Sequence, residues 1–367
     1  MTVIDSDAHV IEGPNTWEFM LPSDAQYRPE IVNRDGVDYW VIEGKERGRA
    51  RGPVNAKGIS DKVERKMQVN DSMRYMEDVP GRVAHMDELG IDVQVLYPTM
   101  YISRMCDSPD AEIAISKGYN RWLANIWERS AGRLRYTAML PMSTIEAAIE
   151  ELHYAMENGA CGITMRSLED ERIVVDPHFF PLYEEAARLN VPVTVHIGSS
   201  NDYINDLYFG DGVGGTFGRL RLMSVAACHM LFTNEIPKQF PGLKFGFIEA
   251  SAQWVPYMLH DLKRRLETRG RKLDDDPMKT NNIWVTCQTD DDIPYVASVN
   301  GRRICVIPKT WYANDWRAWG NGLGNAGTFF AGYKDGFDFV YGEAKRGRPS
   351  MIDACVHAEL GGRPYLA

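Results

Sequence analysis

The sequence lacks long hydrophobic runs and an excess of basic residues, and each absence excludes a class of protein. No stretch approaches the roughly 20 apolar residues that a membrane-spanning helix requires. The 367-residue chain carries a net charge of −10 at pH 7, so we expect neither a nucleic acid nor a membrane surface as its partner. The first residues are acidic where a signal peptide would be basic and then apolar.

Closely spaced cysteine pairs are also missing. The absence of any C-x-x-C pair argues against a zinc ribbon and against a thioredoxin-like site. A large chain with few, scattered cysteines is typical of a cytoplasmic protein with reduced thiols, and we expect a cytoplasmic location. The six cysteines are Cys106, Cys161, Cys228, Cys287, Cys305 and Cys355.

What the sequence does contain is an alternation of short apolar runs with longer helical patterns. The runs are mostly β-branched or aromatic and several lack polar alternation, which is typical of parallel strands buried on both faces. Eight such runs with helices between them predict a single (β/α)8 TIM barrel. An open doubly wound sheet is the alternative, although no G-x-G-x-x-G follows the first run. The runs are 2–4, 93–97, 134–138, 161–165, 191–195, 243–248, 283–287 and 304–307.

One segment near the N-terminus fits no strand–helix unit. Residues 22–70 are predicted to form an insertion after strand one that lies over the active face of the barrel. Within it, Asp35-Gly36 is a turn signal between two apolar runs and predicts a small hairpin. A helix is expected to start with a capping box at Ser143-Thr144-Ile145-Glu146.

Chemistry in such a barrel takes place at the carboxyl ends of the strands. Asp7 and His9 lie two residues apart at the end of strand one and point to the same side of an extended segment. His196 closes strand five. Together the three residues predict a zinc or manganese site. The alternatives are that Asp7 caps the next turn and that His196 is a core histidine.

Two further charged residues end strands. Glu249 closes strand six and could orient a water, take a proton or contact the metal, or it could simply favour the N-terminus of the following helix. Arg166 ends strand four and could bind a substrate carboxylate through two parallel hydrogen bonds, or form an ion pair within the loops.

The chain resembles the amidohydrolase-related family that includes aminocarboxymuconate-semialdehyde decarboxylase and γ-resorcylate decarboxylase. The resemblance implies a metal-dependent barrel with Asp7 and His9 in place of the usual H-x-H pair and His196 as the ligand from strand five. It also implies loss of CO2 from a small aromatic or unsaturated carboxylic acid or, alternatively, hydrolysis of an ester, lactone or amide. Many relatives are homodimers, so a homodimer is expected here. The matching segments are 4–12, 86–92, 97–99, 176–183, 191–196, 240–244, 249 and 254–256.

The family pattern requires an aspartate at the end of strand eight, and this sequence does not supply it. Pro308-Lys309-Thr310-Trp311 follows the last run, and the nearest acid is Asp315, which is the candidate acid or base. Residues 301–367 also carry 9 basic against 6 acidic side chains and 11 of the 32 glycines. We therefore divide the chain into a barrel at 1–307 and an atypical segment at 308–367.

The missing aspartate supports a third hypothesis, in which the barrel is catalytically impaired. The C-terminal segment would then be a degenerate or frameshifted end of the barrel. Translating the gene in the other frames across the codons for Asn300 to Thr310 would show whether a Gly-Thr-Asp-Tyr-like segment is encoded there.

Overall fold

The computed structural model describes residues 3–50, 71–208, 217–287, 295–299 and 302–306. These residues belong to two compact units. The first contains residues 3–50, 71–208, 217–250 and 254–286, and the second contains residues 251–253, residue 287 and two short strands.

The first unit is built on a seven-stranded parallel sheet with helices between the strands. The strands neighbour one another in the sheet in the same order in which they follow along the chain. The interior strand Val193–His196 is buried at every position, as expected for a strand covered on both faces. The predicted TIM-barrel class is confirmed. The strands are β1 (Ile4–His9), β5 (Val93–Tyr97), β6 (Leu134–Met139), β7 (Ala160–Arg166), β10 (Val193–His196), β11 (Phe245–Ile248) and β12 (Ile283–Val285).

The helices lie between the strands along the chain, as the alternation of runs predicted. The longest begins after Ser108, whose hydroxyl accepts the Ala111 amide, and it buries Tyr119 and Trp122 against the sheet. None of the helices in the described ranges is both long enough and apolar enough to cross a membrane. They are α1 (Asp71–Arg74), α2 (Val79–Leu89), α3 (Pro109–Arg129), α4 (Ile145–Glu157), α5 (Phe180–Arg188), α6 (Asp202–Leu207), α7 (Leu222–Thr233), α8 (Ile236–Gln239), α9 (Trp254–Glu267) and α10 (Pro277–Thr280).

The predicted capping box before α4 is wrong. The N-cap of α4 is Thr144, and its side chain makes no capping hydrogen bond. The amide and the hydroxyl of Ser143 instead both donate to the Glu112 carboxylate on α3. A tertiary partner with a negative charge has replaced the local cap.

The N-terminal insertion contains the predicted hairpin and one further strand. Strands β2 (Glu30–Arg34), β3 (Val37–Ile42) and β4 (Lys45–Arg49) form an antiparallel sheet. Asp35 and Gly36 both have positive φ, 53° and 79°, as a type I′ turn requires. The Glu43 carboxylate accepts the amides of Asp107 and Ser108, so this sheet rests on the segment between β5 and α3. Positions 51–70 of the predicted insertion lie outside the described residues.

The predicted eighth strand is not part of the parallel sheet, which is a correction. Residues 304–307 overlap β14 (Arg302–Val306), which pairs antiparallel with β13 (Tyr295–Val299). The two residues between the strands are Asn300 and Gly301, a dipeptide typical of tight hairpins, whereas a parallel pairing needs a crossover of a dozen residues or more. Two short strands between β7 and β10, namely β8 (Leu168–Glu169) and β9 (Arg172–Ile173), complete the described strands. Asp315 and the predicted segment 308–367 lie outside the described residues.

Candidate metal centre

Four side chains from three strand ends meet at one edge of the parallel sheet. Asp7 and His9 come from β1, His196 ends β10, and Glu249 directly follows β11. One donor atom from each residue lies within 4.8 Å of the donors of the other three. The structure therefore brings together the three ligands that the sequence predicted, and it places Glu249 with them.

A β-bulge in β1 sets the direction of Asp7. Asp5 pairs with Gln94 and Ala8 pairs with Leu96, so β1 has one extra residue between these two pairs. A bulge re-aims a side chain and interrupts the ladder. The Asp7 amide donates instead to the Asp5 carboxylate at 3.3 Å, and Gln94 donates to that same carboxylate at 2.9 Å. The bulge is thus fixed by side-chain hydrogen bonds.

The distances between the donor atoms match those around a single ion. His196 Nε2 lies 3.4 Å from both Asp7 Oδ1 and Glu249 Oε2, and His9 Nε2 lies 3.7 Å from the same two oxygens. A tetrahedral ion that binds its ligands at about 2.1 Å separates them by about 3.4 Å. The four side chains are therefore spaced for a divalent cation.

Hydrogen bonds fix both imidazoles in the tautomer that a metal needs. His9 Nδ1 lies 3.1 Å from the Pro98 carbonyl oxygen, and His196 Nδ1 lies 3.0 Å from the Ile197 carbonyl oxygen. A carbonyl can accept a hydrogen bond but cannot donate one, so each Nδ1 carries the proton in these contacts. Each Nε2 then presents its lone pair to the cluster, as in metal-binding histidines.

Two atoms of the cluster are buried without a hydrogen bond. Asp7 Oδ1 and His196 Nε2 are both inaccessible to solvent, and neither has a hydrogen-bond partner among the described residues. Leaving a buried polar atom unpaired is unfavourable, and such atoms call for an explanation. A bound divalent cation would satisfy both atoms, so the residues present fit the metal that the resemblance implies.

Glu249 occupies a strained backbone position. Its φ is 61°, in the left-handed region that glutamate rarely adopts. Its amide donates to Thr286 Oγ1 at 3.0 Å, just after β12, and this contact holds the strained residue in place. Because α9 begins at Trp254 and has no acid in its first turn, Glu249 is not the helix N-terminal acid of the alternative interpretation.

Nearby charges and an aromatic wall set the properties of the site. Burial lowers the pKa of His9, but the Glu249 and Asp7 carboxylates and Glu12 outweigh it, so the pKa lies above its usual value. The Tyr97 ring lies 4.9 Å from that of His196 and 6.3 Å from that of His9. Tyr97 is 1 % exposed, and burial raises the pKa of its phenol. It remains neutral and shields one side of the cluster.

Arg166 lies outside the cluster. Its Nε and Nη2 donate to Glu169 at 2.9 and 2.6 Å, and its Nη1 donates to the carbonyls of Tyr101 and Ser103. Arg166 therefore forms an ion pair within the loops, which was the alternative to binding a substrate carboxylate. Arg166 also lines a cavity of about 200 Å³ together with Arg104 and Arg172, and none of the four cluster residues is among its lining.

Glu12 and Thr286 contact the site but were not identified from the sequence. Glu12 is 3 % exposed and binds the segment that carries Pro98. Its position three residues after His9 and next to the apolar Val10 and Ile11 was a usable signal, because a glutamate buried there needs partners. Nothing in the sequence indicated Thr286, whose role depends on the contact between β11 and β12.

Comparison with known proteins agrees with this geometry. The family model described as Amidohydrolase matches residues 4–277, which is most of the chain and includes all four cluster residues. The chain belongs to the amidohydrolase family. This family is metal-dependent, and membership indicates that the chain is an enzyme.

Individual relatives are more distant. The chain is 27 % identical over 127 residues to a 2-amino-3-carboxymuconate-6-semialdehyde decarboxylase from Dictyostelium discoideum, a match that covers 34 % of this chain and 35 % of the relative. An amidohydrolase structure from Mycobacterium avium subsp. paratuberculosis aligns with a TM-score of 0.61 at 20 % identity, over 82 % of this chain and 87 % of its own. A 5-carboxyvanillate decarboxylase from Novosphingobium aromaticivorans, solved with manganese, aligns with a TM-score of 0.55 at 17 % identity, over 78 % and 79 % of the two chains.

Proposed function

We propose that this protein is a metal-dependent, non-oxidative decarboxylase of a small aromatic or unsaturated carboxylic acid. The observation that carries the proposal is the cluster of Asp7, His9, His196 and Glu249, with its two unpaired buried atoms. Manganese or zinc is the proposed ion, because two carboxylates with two imidazoles suit either metal. The curated relative is named as a decarboxylase, which favours loss of CO2 over hydrolysis.

The roles of the four cluster residues follow from how far each side chain is exposed to solvent. His196 is the most enclosed ligand, with 3 % of its side chain exposed, and the hydrogen bond at its Nδ1 fixes its orientation. Glu249 is the most open, with 39 % of its side chain exposed, so the substrate approaches from its side. A bound divalent ion would supply Lewis acidity towards the substrate carboxylate.

The reaction also requires that a residue of this chain deliver one proton to the substrate. Loss of CO2 from an unsaturated carbon leaves its bonding electron pair on that carbon, and one proton replaces the carboxyl group. Asp315 remains the proposed acid for this step. We also propose that Arg166 binds the substrate carboxylate. Glu249 is proposed both as the fourth metal ligand and as a residue that transfers a proton.

The test combines metal analysis with an activity screen. The full chain is purified and its manganese and zinc content measured by elemental analysis. Aromatic and dienoic acids are then screened for CO2 release, and lactones, esters and amides for acid release. We expect about one divalent ion per chain and CO2 from at least one acid. His196→Ala should abolish both.

His153→Ala is the matched control, because His153 is a half-exposed histidine on α4 that pairs with Glu185, away from the cluster. It should keep both metal and activity. Acid release without CO2 would replace the decarboxylase with a hydrolase on the same site. A chain that binds metal but converts neither panel would support the impaired barrel, and a chain without metal would overturn the proposal.

A further inference from the structure

Glu12 is a buried acid that lies close to the metal centre without joining it. It lies in the segment that follows β1, three residues after His9, and it is 3 % exposed. Its Oε1 accepts the Thr99 amide at 3.0 Å, and its Oε2 accepts the Met100 amide at 3.1 Å. Both oxygens are thus used to hold the turn that follows β5.

That turn carries the group that orients His9. The Pro98 carbonyl accepts the hydrogen bond from His9 Nδ1, and Pro98 directly precedes the first amide that Glu12 binds. The Thr99 hydroxyl donates to the Val10 carbonyl at 2.6 Å and lies 3.4 Å from His9 Nδ1. Glu12 and Thr99 therefore join the turn after β5 to the segment after β1 at two points close to His9 in the chain.

We propose that Glu12 is a positioning residue for the metal centre, which acts through the Pro98–Met100 turn to keep His9 in the tautomer with a free Nε2. The inference rests on the proposed metal function. Glu12 reaches no reacting atom itself. Its effect is to fix the Pro98 carbonyl, because a turn free to rotate would let that acceptor leave Nδ1 and allow the ring proton to move to Nε2.

The Glu12 carboxylate is retained at this position although its burial is unfavourable. Burial raises the pKa of Glu12 to about 7 even though two backbone amides favour the charged form. An apolar side chain would avoid this desolvation, but it would leave two buried amides unpaired next to a ligand.

The test is Glu12→Gln, which keeps the size of the side chain. The amide group retains one acceptor oxygen but turns its NH2 towards the second backbone amide, so one of the two bonds is lost. We expect the dissociation constant for Mn2+ to rise about 10- to 100-fold, as measured by calorimetry on the full chain. In the metal-free protein, at a pH well above the raised pKa of His9 so that the ring is neutral, 15N NMR of the His9 ring should show the proton on Nδ1 in the wild type and a mixture of tautomers in Glu12→Gln.

Glu151→Gln is the matched control. Glu151 is also a buried glutamate, 2 % exposed, and its carboxylate accepts a hydrogen bond from Asn120 at 3.0 Å between α3 and α4. It should lose thermal stability without changing Mn2+ affinity or the His9 tautomer. If Glu12→Gln does not fold, Glu12→Asp replaces it, because the shorter side chain cannot reach both amides.

The outcomes separate this inference from the proposed function. A mixed His9 tautomer in metal-free Glu12→Gln supports the positioning role even if the wild type proves to bind no metal, which would overturn only the proposed function. An unchanged His9 tautomer in Glu12→Gln overturns the positioning role. Equal losses of Mn2+ affinity in Glu12→Gln and Glu151→Gln would overturn it as well, because the effect would then be one of general stability.

Discussion

His196 Nε2 lies 3.4 Å from Asp7 Oδ1, and neither atom has a hydrogen-bond partner among the described residues. With the His196 proton on Nδ1, a nitrogen lone pair faces a carboxylate lone pair at this distance. The contact is unfavourable in the metal-free protein and becomes favourable when a cation lies between the two atoms. Metal binding should therefore stabilise the fold as well as enable the chemistry.

The first prediction is a metal-dependent stabilisation that requires His196. Mn2+ at 100 times its dissociation constant should raise the free energy of unfolding by about 2.7 kcal/mol. Differential scanning fluorimetry with Mn2+ and with EDTA measures the change. His196→Ala should lose the stabilisation, whereas His153→Ala should keep it. An equal stabilisation of His196→Ala would show that Mn2+ binds elsewhere.

The sequence predicted the metal ligands because they depend on strand ends. His9 and His196 end β1 and β10, and Asp7 lies two residues before His9; the carboxyl ends of parallel strands meet at one edge of a sheet. The bulge in β1 and the bond from the Glu249 amide to Thr286 were not predictable, because both depend on contacts between residues far apart in the chain.

The pairing of the predicted eighth strand was not predictable for a similar reason. An apolar run shows that residues 304–307 favour a strand, but it does not show which strand is the partner. Asn300-Gly301 allows a local hairpin, and the run pairs with β13 instead of joining the parallel sheet. The sheet described here ends at β1 and β12, where Ile4 and Trp284 are 57 % and 54 % exposed.

The second prediction concerns the strained backbone at Glu249. Asparagine tolerates a positive φ better than glutamate, so Glu249→Asn should raise the metal-free unfolding free energy by about 1 kcal/mol. It should also abolish Mn2+ binding, because it removes one carboxylate from the cluster. Urea unfolding in EDTA and calorimetry with Mn2+ measure the two effects.

Ala131→Asn provides the control for this strain. Ala131 has a φ of 51° in the turn after α3, away from the cluster. It should gain similar stability and keep its Mn2+ affinity. A destabilised Glu249→Asn would mean that the carboxylate contributes more to the metal-free fold than its backbone strain removes.

The third prediction concerns the contact between the insertion sheet and the β5–α3 segment. Arg47 and Lys45 on β4 hold the pKa of Asp107 at about 2. Since the folded-state pKa lies below the ordinary 3.8, the stabilisation is present above pH 3.8 and is lost as the pH falls towards 2. Asp107→Asn should lower the opening free energy of the β2–β4 amides by about 1 kcal/mol in hydrogen exchange near neutral pH.

Glu46→Gln is the control for this contact, because Glu46 pairs with Arg34 within the insertion sheet itself. It should change amide protection less than Asp107→Asn does. Equal protection in the two variants would mean that the ion pairs of Asp107 do not hold the sheet in place.

The fourth prediction is a pH dependence that originates at Glu12. Burial raises the pKa of this carboxyl from 4.5 to about 7, so the folded protein binds its proton more tightly than the unfolded chain does. The resulting stabilisation is present below pH 4.5 and disappears as the pH rises through 7. Glu12→Gln has no such proton. In EDTA, the unfolding free energy of the wild type minus that of Glu12→Gln should therefore fall by about 3 kcal/mol across this interval, as measured by urea unfolding at a series of pH values. A difference that stays constant with pH would show that Glu12 has the same proton affinity in the folded and unfolded chains, and that the two amides fully offset its burial.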